Sequence, residues 1–176
     1  MDTKELMEKA VRFHGHICPG VAIGVLAAKY FLEHGFNYSV NEEIVAVVEN
    51  DNCSIDAIQA LVGTTFGKGN LVFLDYGKNV YTLYNRNTQK GLRLSLKSSI
   101  FGKKQLSKNE KVQKLLNSSP EAVFEIQEVL FEPPSLAQIE DSVPCDVCRE
   151  MTMNSRMVNY QQKTICIPCY KRLKTI

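Results

Sequence analysis

The chain has 176 residues, long enough for one ordinary domain with a proper core and a small appendage. Hydrophobic residues make up 44% and charged residues 23%, which excludes a globally disordered chain. The formal net charge of +2 is too small to predict nucleic-acid or membrane partners.

No apolar run reaches the length of a membrane span, and residues 1–17 carry Asp2, Glu5 and Glu8 instead of a signal-peptide core. These features predict a cytoplasmic protein with reduced thiols.

Leu6, Ala10 and Phe13 fall at helical spacing, predicting a first helix over residues 3–13 that ends near His14-Gly15. Pro19 opens a second helix through Phe31, closed by Gly35. Ile44–Val48 is β-branched and nearly continuous, so it reads as a buried strand. Asn50-Asp51-Asn52 is a turn and cap cluster before a short helix from Ser54 to Val62. Gly63–Asn70 is a glycine-rich loop, and Leu71–Tyr76 a second strand. Val80–Tyr84 and Leu92–Leu96 read as a hairpin.

Lys97–Lys104 is basic and polar and reads as a mobile connection. Helices are predicted over 107–116 and 120–130, the latter because Ser119-Pro120-Glu121 is a strong helix start. Pro133-Pro134 then begins a linker. Short strands mixed irregularly with helices give an α+β class, with a mixed helix and antiparallel-rich sheet core over residues 1–138 and a small zinc finger over 139–176.

The most specific signal is Cys145-x2-Cys148 followed by Cys166-x2-Cys169. Four thiolates in two such pairs suit the tetrahedral all-sulfur geometry of structural zinc; iron in a rubredoxin-type site uses similar ligands. Thr152–Ile165 is expected to form a hairpin between the knuckles, with a helix following Cys169. That order suggests a treble clef, with a zinc ribbon as the alternative.

A second cluster lies in Phe13-His14-Gly15-His16-Ile17-Cys18-Pro19-Gly20. Imidazole and thiolate are common ligands of first-row transition metals. Cys18 and Cys53 each stand at the start of a predicted helix, where a thiolate is stabilised. They are expected to converge on one pocket with His14 or His16. Asp56, one turn after Cys53, is expected as a ligand or as the acceptor of a histidine N–H. Cys18, Cys53 and Asp56 are also the candidate catalytic residues. His34 is expected to complement the dipole of its helix. Gly63–Gly69 fails the phosphate-loop pattern, because three residues rather than four precede Gly67-Lys68 and no helix follows. Lys68 reads as an anion attractor or a solvated lysine.

Taken together, Phe13–Gly20, Glu49–Gln59, Gly67–Leu71, Asp75–Lys78 and Leu92-Arg93 resemble the formylmethanofuran dehydrogenase E-subunit family. The resemblance implies an α+β core, often dimeric, with a treble-clef appendage in some members. It also implies a metal or reactive site at His14, His16, Cys18 and Cys53, and partnership with a molybdenum or tungsten enzyme of methanogenesis. Members often carry Gly-Cys-Thr where this chain has Gly63-Thr64-Thr65, so one thiol of that pattern is missing.

The expected function is therefore a metal-binding accessory protein, with zinc in the tail and zinc, nickel or iron in the core. Alternatives are a stand-alone thiol- or metal-dependent enzyme, or a metal- or ligand-sensing regulator using the finger on DNA. Homodimerisation and other components of that enzyme are the expected associations; nucleic acid and membrane are not.

Overall fold

A computed structural model describes residues 1–102 and 105–174. The chain divides into two compact units, Met1–Ala137 and Gln138–Ile176.

The first unit opens with helix α1 (Thr3–His14), capped by Asp2, and helix α2 (Pro19–Glu33), capped by Cys18. Strand β1 (Ile44–Val48) leads to helix α3 (Ser54–Val62) and strand β2 (Leu71–Phe73). Strands β3 (Val80–Asn85) and β4 (Lys90–Leu96) form the hairpin. Helix α4 (Lys108–Leu116) starts on a capping box in which Ser107 and Glu110 satisfy each other's backbone N–H. A single turn, α5 (Pro120–Val123), precedes strand β5 (Phe124–Val129).

The five strands order as β2-β1-β3-β4-β5, with only β1 and β2 parallel. Alternation along each strand sends Ile44, Ala46, Val48, Tyr81, Leu83, Leu92, Leu94 and Phe124 into the same core as the helices. Helix α2 is buried along nearly its whole length, as its almost uniformly apolar sequence requires. It packs closely on α3 at Gly24, where a Cβ would collide with the Ser54 carbonyl oxygen and meet the Ala57 Cβ at 2.8 Å. The opposite sheet face is partly covered by the chain after β5. Phe131 packs edge-on against Tyr84, and Arg86 donates to the Pro134 carbonyl at 2.6 Å.

In this unit, two elements depart most from the sequence expectation. The segment predicted as a helix over 120–130 is helical for one turn only. Ser119 and Pro120 do start a helix, but Phe124-Glu125-Ile126-Gln127-Glu128-Val129 alternates apolar and polar, and that period of two pairs it with β4. The second strand stops at Phe73, because it is a sheet-edge strand whose pairing to β1 runs only from Leu71 to Phe73. Residues 97–102 form turns, while Lys103 and Lys104 lie outside the described residues.

In the second unit, β6 (Ser142–Pro144) pairs with β7 (Met151–Met153) around the first Cys knuckle. A 3₁₀ turn over Asn154–Arg156 leads to a second hairpin, β8 (Met157–Tyr160) and β9 (Lys163–Cys166). Helix α6 (Ile167–Lys174) carries Cys169. Knuckle, hairpin and helix thus follow in treble-clef order. The hairpin expected over Thr152–Ile165 is narrower, because Thr152 pairs back to Val143 while the turn falls at Gln161-Gln162, both at positive φ. The helix begins at Ile167 rather than after Cys169.

Candidate metal centres

The core cluster forms where three elements end. His14 is the last residue of α1, and Gly15 closes that helix in the left-handed conformation at φ 98°. The chain then turns through exposed His16 to Cys18, the N-cap of α2, whose sulfur accepts from the Val21 N–H at 3.4 Å. One ligand atom from each of His14, His16 and Cys18 lies within 4.8 Å of the others. Metal bonds of about 2.0–2.3 Å would set tetrahedral ligand atoms roughly 3.3–3.8 Å apart, so these atoms would close by up to about 1.5 Å around an ion.

Asp56, in the first turn of α3, accepts from His14 Nδ1 at 2.7 Å. A carboxylate only accepts, so Nδ1 holds the proton and Nε2 presents its lone pair. That nitrogen lies 4.0 Å from the Cys18 sulfur. Gln59, one turn further on, donates to the other Asp56 oxygen at 3.4 Å. The arrangement is the carboxylate–histidine pairing that fixes the ring of a metal ligand.

Cys53 stands beside this trio. Gly20 makes the approach possible: a Cβ there would meet the Cys53 Cβ at 2.9 Å and the Cys18 sulfur at 3.7 Å. Burial, then the neighbouring Cys18 and Asp56, push the Cys53 thiol above its ordinary value. This runs against the expectation of a helix-stabilised thiolate at that position. Cys53 sits in helical conformation and makes no cap bond. Asn52 performs the capping, its Oδ1 accepting from the Ser54 N–H at 2.9 Å and the Ser54 hydroxyl at 2.7 Å. Buried Tyr81 donates to the same Ser54 hydroxyl at 2.7 Å, and burial raises the phenol to about 12. Asn50 completes the scaffold, donating to the Lys78 carbonyl and accepting from the Asn52 N–H.

A pocket of about 300 Å³ opens beside the cluster, bounded by His14, Cys53 and Asp56 and walled by Phe66 and Phe73. Sequence reasoning missed Gln59, Phe66 and Phe73. The spacing of Gln59 from Asp56 placed it on the same helical face, but nothing local marked the phenylalanines. Phe66 is held by its loop, which is tied down through Asn70, whose amide donates to the Ser39 hydroxyl and to the Asn41 and Ile44 carbonyls. Lys68 belongs to the same tie. Its ammonium donates to the Ser39 carbonyl at 2.6 Å, so it is a structural staple rather than a free or anion-seeking lysine. His34 caps α2, its Nδ1 against the Tyr30 carbonyl at 2.7 Å and its ring stacked on Tyr30.

The tail cluster is built differently. Ligand atoms of Cys145, Cys148, Cys166 and Cys169 lie within 4.8 Å of one another, with Cys148 and Cys166 sulfurs 3.8 Å apart. Burial pushes Cys145 up, but the N–H groups of Cys166, Cys148 and Val147 outweigh it and bring the thiol down to about 6. The Glu150 N–H favours the Cys148 thiolate, yet burial and the adjacent thiols carry it up to about 12. Four crowded sulfurs cannot all be charged without a cation among them. Arg172 donates to the Cys169 sulfur at 3.0 Å.

Residues 13–132 match the family described as "FmdE, Molybdenum formylmethanofuran dehydrogenase operon". The chain belongs to the FmdE family. A protein from Syntrophus aciditrophicus, described as tungsten formylmethanofuran dehydrogenase FmdE-like, superposes with a TM-score of 0.71 at 26% identity. That match covers 96% of this chain and 91% of the other. A protein from Archaeoglobus fulgidus, described as a probable S-adenosyl-L-methionine-binding protein, is 31% identical over 194 aligned positions. The alignment takes in 93% of this chain and 52% of that relative, so the chain spans about half the length of the curated relative it matches. Among the described residues, no helix is long and apolar enough to cross a membrane.

Proposed function

We propose that this FmdE-family chain is a metal-binding accessory protein with two separate centres. In the tail, Cys145, Cys148, Cys166 and Cys169 would hold structural zinc. In the core, His14, His16 and Cys18 would hold a transition metal (zinc, nickel or iron), with Cys53 beside them and Asp56 orienting His14. The observation that carries the core reading is the meeting of His14, His16 and Cys18 within 4.8 Å, with the His14 ring fixed by Asp56. A metal bound there would supply Lewis acidity or an electron-transfer centre at the mouth of the pocket. The chain's own residues hold the ring, keep its proton on Nδ1 and line the opening.

Family membership supports association with a formylmethanofuran dehydrogenase complex, and we include homodimerisation in the proposal. The need for free thiolates fits a reducing, cytoplasmic setting. Elemental analysis of the full chain tests the reading. Cys166→Ser with Cys169→Ser should remove one metal and leave a second, which X-ray absorption edges identify. His14→Ala with Cys18→Ala should remove that second metal. Equal metal content in the latter variant and the parent would refute the core centre.

The pocket beside the centre favours one further reading, a metal- or thiol-dependent enzyme acting on a small ligand with Cys18, Cys53 and Asp56 at its mouth. The Archaeoglobus relative's description names a ligand to try, S-adenosyl-L-methionine. Calorimetric titration showing no binding with the core metal present would remove that ligand.

A further inference from the structure

A second cleft, of about 510 Å³, lies along the β3–β4 hairpin and the turns that follow it. Among the described residues, its lining carries Lys78, Arg93 and Lys97 and no acidic residue. Their charges are only partly answered. Glu49 is the carboxylate that pairs with them, 3.4 Å from Arg93 Nη2 and 4.0 Å from Lys78 Nζ. Lys97 donates to the Glu121 backbone carbonyl at 2.7 Å, a neutral acceptor. Three cations against one carboxylate leave the cleft electropositive, in a chain whose overall charge is close to balanced.

Hydrogen-bond donors stand beside these charges. Ser95 and Ser98 line the cleft, and among the described residues neither hydroxyl has a protein partner. Asn79 accepts from Asn52 through Oδ1, which turns its amide donors to other use. Phe101 adds an apolar wall, its ring backed by the Lys111 ammonium at 5.4 Å.

We propose that this cleft binds a small organic anion, a carboxylate or phosphate ester with an apolar body. The acid group would sit among Lys78, Arg93 and Lys97 with the serine hydroxyls, and the body would lie against Phe101. Charge-assisted hydrogen bonds are the strong ones, and a low-dielectric wall raises their worth. The inference uses none of the metal-binding residues, so it stands or falls apart from the metal reading.

The test is titration of the full chain with phenyl phosphate, phenylacetate, inorganic phosphate and, as the cationic control, benzylamine. Binding is read by calorimetry and by amide shifts at Ser95, Lys97, Ser98 and Phe101. Saturable binding of one or both aromatic anions, about tenfold tighter than inorganic phosphate, is expected, because the ring adds apolar burial. The two aromatic arms distinguish a phosphate ester from a carboxylate. Lys97→Gln should weaken binding about tenfold and Lys78→Gln, at a more exposed site, about threefold. Lys78 is exposed enough for its variant to fold even should Arg93 or Lys97 variants fail. Non-saturating shifts for both aromatic anions, equal affinity for benzylamine, or unchanged affinity in the Lys78→Gln, Lys97→Gln double variant would each overturn the proposal.

Discussion

The two cysteine clusters differ in how their ligands come together. In the tail, all four candidate ligands are sulfur, three of them are buried, and they lie on a knuckle, a strand end and a helix within one small unit. In the core, the candidate ligands are mixed nitrogen and sulfur, His16 is exposed, and a pocket opens alongside. A closed set of four sulfurs has no position left for a ligand from outside, whereas three converging ligands beside an opening leave room for one. Stability is therefore the expected contribution of the tail cluster, and chemistry or sensing that of the core.

The sharpest way to break this contrast is metal removal. A unit with so few buried apolar residues is expected to depend on a bound ion, and structural zinc contributes on the order of 10 kcal/mol to such modules. Cys166→Ser with Cys169→Ser should unfold residues 138–174 while the amide spectrum of residues 1–137 stays dispersed. A tail spectrum that survives chelation would remove the structural role.

Next in size is the approach of α2 to α3. Gly24→Ala should destabilise the first unit by about 3 kcal/mol, since the added methyl meets backbone that cannot yield. Chemical denaturation reads this, and any metal content of the tail should be unchanged. An effect below about 0.5 kcal/mol would show that α2 can slide without cost.

Asp56→Asn sharpens the core side alone. Losing the carboxylate that holds Nδ1–H should lower metal affinity about 10- to 100-fold with little change in stability. A competition titration with a chelator measures it. Unchanged affinity would mean that His14 is not a ligand through Nε2.

The smallest effect belongs to Tyr81. Its folded pKa of about 12 lies above the ordinary 10, so the folded state holds the proton longer than the unfolded state does. Stability from this group is full below pH 10 and is lost as pH rises toward 12. Tyr81→Phe should cost about 1 kcal/mol at neutral pH and flatten that alkaline decline. An unchanged alkaline slope in the variant would show that another group carries it.

Much of this molecule was legible because the signals are local. The limits of α3, the helix ending at Leu116 and the Pro19 helix start rest on neighbouring residues, and each formed where its sequence indicated. The error at β5 arose between two local signals. Ser119-Pro120 started a helix, and the alternation from Phe124 onward ended it, because pairing with β4 rewards a period of two.

Sequence alone determined the two CxxC pairs, the grouping of His14, His16 and Cys18, and the α+β class, since each depends on spacing within a few residues. Only the tertiary structure decided that Asp56 holds His14 from 42 residues away, that Gly20 admits Cys53 beside Cys18, and that Lys78, Arg93 and Lys97 share a cleft. Such contacts depend on how helices and sheet pack, and no local spacing encodes that geometry.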